Sequence, residues 1–77
     1  MANIQNIDEQ INKVIAEINR TYSKGVDFIL ADLSSVRAVE NMGNFISFLP
    51  RCKAKITSSG TARYSSGMGI NQKFYKL

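Results

Sequence analysis

The sequence predicts an α+β fold: two amphipathic helices packed on a small antiparallel sheet formed by the C-terminal third. Three observations predict it. Apolar residues recur at steps of three and four through the first fifty positions, the period shortens to two after Pro50, and two Ser-Ser-Gly triplets punctuate the last third of the chain. Helical units first and strand-like units afterwards is the order expected of an antiparallel sheet carrying helices on one face.

Ile4, Ile7, Ile11, Val14, Ile15, Ile18 and Tyr22 line one side of a helix and leave Asp8, Glu9, Lys13, Glu17 and Arg20 elsewhere. Asn6 is expected to cap the first turn, with Glu9 reaching back to it in a capping box, and Lys24 and Gly25 supply the end signal. The helix is therefore expected over about Ile7 to Ser23. In the next stretch Val26, Phe28 and Leu30 alternate with Asp27 and Ile29, which suits a short strand, a helical turn being the competing reading. Asp32 to Ser35 then reads as a helix start. Val36, Val39, Met42, Gly43, Ile46 and Leu49 carry that second helix, from about Ser35 to Phe48, until Pro50 ends it. Phe45 and Phe48 widen its apolar stripe.

From Arg51 the alternation of Cys52, Ala54 and Ile56 with Lys53 and Lys55 predicts a strand with one buried face and one face of ammonium groups. Thr61-Ala62-Arg63-Tyr64 is expected as a second strand between turns at Ser58-Ser59-Gly60 and Ser65-Ser66-Gly67, and Ile70 to Leu77 as a third.

At 77 residues the chain is expected to form a single domain, 1–77, with 51–77 as its basic, strand-rich segment. A domain this small buries only about 60% of the surface its unfolded chain exposes, so it leans on staples or on self-association. Cys52 is the only cysteine and there is no histidine, which excludes an intrachain disulfide and an ordinary zinc ligand set within one chain. Self-association is what remains. A homo-oligomer is expected, with Ile11, Ile15, Ile18, Phe45 and Phe48 as the oligomer or partner interface. The lone cysteine and the absence of a charged and apolar leader pattern at Met1-Ala2-Asn3-Ile4 lead to the expectation of a cytoplasmic protein. The apolar runs are far shorter than the ~20 residues of a spanning helix, so no membrane association is expected.

Charge is the main pointer to function. All six carboxylates lie in the first forty residues, whereas Arg51 to Leu77 carry six cations and no acid, within a chain of net charge +4. Lys53, Lys55, Arg63, Lys73 and Lys76, interleaved with Tyr64 and Tyr75, are expected to contact nucleic acid: cations neutralise phosphates while aromatic faces stack on unpaired bases. The alternative reading is a small protein-protein interaction module or inhibitor, of the kind made by phages and mobile elements. It would block an acidic surface of a host protein, charge setting the on-rate and Phe45, Phe48 and Phe74 anchoring the complex. A third reading gives the Ser-Ser-Gly turns, with Gly67-Met68-Gly69, to a small phosphorylated ligand. No cofactor or metal is expected. An enzyme is not expected either, since Cys52 has no histidine to generate its thiolate and no carboxylates stand at a catalytic spacing. Asp32 is read as a cap and Glu40 as a surface partner of Arg37.

Overall fold

Residues 3–77 are described by a computed structural model, so the reading of Met1 and Ala2 as lacking a leader pattern falls outside the described residues. The isoleucine-rich segment forms helix α1, Ile7–Thr21, burying Ile11, Val14 and Ile18. No capping box starts it. Asn6 takes a left-handed backbone (φ 53°) without a side-chain cap, and its carbonyl accepts the Gln10 N–H at 3.0 Å. The start is held from a distance instead: Ile4 donates its N–H to Asn44 Oδ1 while Asn44 Nδ2 donates to the Ile4 carbonyl. That clasp seats Ile4 in the core, outside the helix to which its spacing assigned it.

Strand β1, Asp27–Ile29, comes next, then a 3-10 turn at Leu30–Asp32 and a single helical turn α2, Ser34–Arg37. The expected capping role of Asp32 falls to Glu17. From α1, its carboxylate accepts the N–H groups of Ser34 (3.0 Å) and Ser35 (2.9 Å) and both their hydroxyls, so two orphan donors of α2 are satisfied by a buried anion. The expected second helix is thereby split. Turns occupy residues 38–44, and α3 runs Phe45–Ser58, with Pro50 inside it. The proline removes the bond to the Ile46 carbonyl, one turn back, and crowds that carbonyl with its ring, on a stretch where Ile46 is 87% exposed.

The strand expected over Cys52 to Ile56 is helical, which is a correction with a simple cause. Cys52 and Ile56, four apart, satisfy a period of two and one helical turn equally, and Phe48 extends the series on the helical side. Phe48, Cys52 and Ile56 are fully buried, whereas Ala54, which only the strand reading needed inside, is exposed.

Strands β2, Ala62–Ser66, and β3, Lys73–Lys76, flank a 3-10 turn at Gly69–Asn71. The sheet has order β1-β3-β2 with both pairings antiparallel, and a bulge separates Tyr64 from Ser66. The fold is thus α+β, with three α-helices among the described residues and a three-stranded antiparallel sheet that draws two strands from the C-terminal part and one from residues 27–29. Phe28, Phe74 and Tyr64 form a row on its helix-facing side, Phe28 stacking on Phe74 (5.7 Å) and on Tyr22 (4.6 Å), with Tyr64 edge-on to Phe74 (6.4 Å). Phe28 and Phe74 make one core with Val14, Ile18, Leu30, Leu33, Val36 and Phe48, Tyr22 packs against it, and Tyr64 at the end of the row is half exposed. No described helix is long and apolar enough to cross a membrane.

Candidate nucleic-acid interface

Because side chains alternate along a strand, burying Phe28 and Phe74 turns Asp27, Ile29, Lys73 and Tyr75 to the other face of the sheet. On β2 the residue paired with Tyr75 is Arg63, so one row across the three strands reads Asp27, Tyr75, Arg63. A second row carries Ile29 and Lys73, with Ser66 past the bulge. Tyr75 is 44% exposed, and Asp27, Arg63 and Lys73 are exposed too. None of these three charged groups has an ionic partner among the described residues.

The hydrogen-bond ladder fixes how closely these side chains approach. Lys76 donates its N–H to the Val26 carbonyl (2.9 Å) and accepts that of Gly25 (2.9 Å), which leaves Asp27–Tyr75 as a non-hydrogen-bonded pair, the class in which facing side chains are nearest. The Tyr75 ring reaches toward the turn before β1: its hydroxyl lies 3.5 Å from where a β-carbon on Gly25 would stand. Tyr75 on the central strand is therefore flanked by Asp27 on one neighbouring strand and Arg63 on the other.

The seven residues expected to contact nucleic acid do not share one surface. Arg63, Lys73 and Tyr75 come together on this face. Lys53 and Lys55 sit on α3, where a two-residue step turns side chains by about 200°, so they leave the helix on opposite flanks. Lys55 lines a groove of about 530 Å³ between α1 and α3 that also includes Asp8, Asn12, Arg51 and Ser58, with Arg51 Nη2 bonded to Asp8 Oδ1 at 2.8 Å. Tyr64 lies on the core side and donates its hydroxyl to the Gly67 carbonyl at 2.9 Å, closing the turn after β2. Lys76 also belongs to the helix-facing side, and its ammonium donates to the Leu77 carbonyl oxygen. Asp27 was not among the expected site residues; its signal was the alternation Asp27-Phe28-Ile29, which sets an acid opposite a buried phenylalanine.

Of the residues expected at an oligomer or partner interface, Ile11, Ile18 and Phe48 are buried within the chain's own core, and Ile15 and Phe45 are half-buried against it. The first Ser-Ser-Gly triplet closes α3. Ser58 Oγ donates to the Lys55 carbonyl, and Ser59 Oγ pairs with Thr61 Oγ1 at 2.7 Å. Cys52 is fully buried, and burial pushes its thiol up to about 12. The pair Arg37–Glu40 forms as expected, at 3.2 Å.

No protein family, curated protein or solved structure matches this chain.

Proposed function

We propose that this chain is a small non-enzymatic binding protein whose uncovered sheet face takes single-stranded nucleic acid. The observation that carries the reading is the exposed Tyr75 on the central strand, with Arg63 beside it across the sheet and Lys73 two residues along. A tyrosine ring is a stacking platform that an unpaired base can use and a paired one cannot, while the two cations neutralise flanking phosphates. The face is small, so the contact is a few nucleotides long. The competing reading, a blocker of an acidic protein surface, draws less support: Phe48 and Phe74, two of its three aromatic anchors, are fully buried in the chain's own core.

Fluorescence anisotropy with labelled single- and double-stranded oligonucleotides at low and near-physiological salt tests the reading. Replacing Arg63 and Lys73 together by glutamine is expected to weaken single-strand binding and lower the slope of log K against log salt by about 1.4, two phosphate contacts at roughly 0.7 each. The pair Lys53→Gln with Lys55→Gln is expected to change the slope less. Equal slopes for both double variants and the parent would remove the sheet face from the site.

A further inference from the structure

We infer that the open face selects guanine, with Asp27 reading the base that stacks on Tyr75; this rests on the reading of that face as a single-strand site. An ionised aspartate is an acceptor only, with two oxygens side by side. Among the four bases only guanine presents two adjacent donors, N1–H and the N2 amino group, on its Watson–Crick edge; adenine, cytosine and uracil each set an acceptor there. A carboxylate beside the stacking ring therefore rewards guanine with two charge-assisted hydrogen bonds and sets lone pair against lone pair for the others.

The geometry suits this assignment. Asp27 and Tyr75 are paired residues of the closer class, and the Tyr75 hydroxyl reaches the Gly25 turn that leads into the strand carrying Asp27. Arg63 stands on the far side of the ring. Two strand spacings separate Asp27 from Arg63, about 9–10 Å, so the base edge and the phosphate of one nucleotide can be held at opposite ends of a single row. The charges are also sorted correctly: Lys73 and Arg63 lie on β3 and β2, leaving the acid alone at the β1 edge, away from the path the phosphates take. Asp27 accepts no side-chain hydrogen bond and joins no ion pair among the described residues, so its oxygens are available.

The test uses fluorescein-labelled oligouridine carrying one central guanosine, adenosine, cytidine or inosine, titrated with the full chain and with Asp27→Asn. The guanosine oligomer is expected to bind about tenfold more tightly than the adenosine one, with inosine, which lacks the N2 amino group, between them. Asp27→Asn is expected to bring all four to within about twofold while binding to plain oligouridine persists or strengthens, as a negative charge leaves a phosphate-binding face. Equal affinity of the parent for guanosine and adenosine, or a guanosine preference that survives Asp27→Asn, would overturn the inference and leave single-strand binding standing. Absence of binding to any oligonucleotide, or binding that Tyr75→Ala does not weaken, would overturn the single-strand reading beneath it.

Discussion

Glu17 shows how a single side chain links two elements. It stands next to Ile18 on α1, is 8% exposed, and supplies the cap that α2 cannot supply for itself. Burial pushes its carboxyl pKa up, but the hydrogen bonds from Ser35 and Ser34 outweigh that and bring it from 4.5 to about 2. A folded-state value below the unfolded one means stability that is fully present above about pH 5 and is lost as the pH falls through 4.5 toward 2. The contribution is on the order of 3 kcal/mol at neutral pH. Glu17→Gln is expected to destabilise the protein by about 1–3 kcal/mol at pH 7 and to remove most of the acid-limb slope. Urea unfolding at pH 7, 4 and 3 checks it; a variant that loses stability in parallel with the parent across those pH values would show the cap to be immaterial. The sequence did not reveal this role. The spacing set Glu17 off the apolar stripe with the other charged residues of α1, its partners lie seventeen and eighteen residues away, and the local Asp32 was read as the cap.

Among the elements, α1 was legible because its apolar spacing extends over four turns and no shorter period fits it. The stretch from Val36 to Ile56 was not, because both local signals had a second solution. Pro50 ends a helix that has already run several turns, yet here it sits in the second turn of one that starts at Phe45, where one early bond is lost and the helix continues. Cys52 and Ile56 fit strand or helix until Phe48 is counted with them. The turns were better marked by glycine. Gly67 has φ +85°, and a β-carbon there would stand 3.0 Å from the Asn71 carbonyl, whereas Gly60, at φ +77°, faces open space. Both left-handed positions penalise alanine by about 1–2 kcal/mol, and Gly67→Ala is expected to exceed Gly60→Ala because a backbone carbonyl must also move. Thermal unfolding of the two variants measures the order; an equal or reversed order would mean that the turn after β2 is free to shift.

The whole molecule divides a charge pattern of the sequence between separate surfaces. Helical placement of residues 51–58 takes Arg51, Lys53 and Lys55 away from the strand cations, so the basic segment does not fold into one patch. What the sheet assembles is smaller: Arg63 and Lys73 around Tyr75, with Asp27 delivered from the middle of the chain by antiparallel pairing. Arg63, Lys73 and Tyr75 were legible from composition and alternation; their meeting with Asp27 was not, because strand order β1-β3-β2 brings together positions nearly fifty residues apart and no local pattern encodes it. The most direct test is amide and side-chain chemical-shift mapping of the labelled protein during titration with a single-stranded oligonucleotide. The largest changes are expected at Asp27, Arg63, Lys73 and Tyr75, with the α1–α3 groove around Asp8, Arg51 and Lys55 little affected. Changes centred on that groove, or none anywhere at saturating oligonucleotide, would contradict the assignment of function to the open face of the sheet.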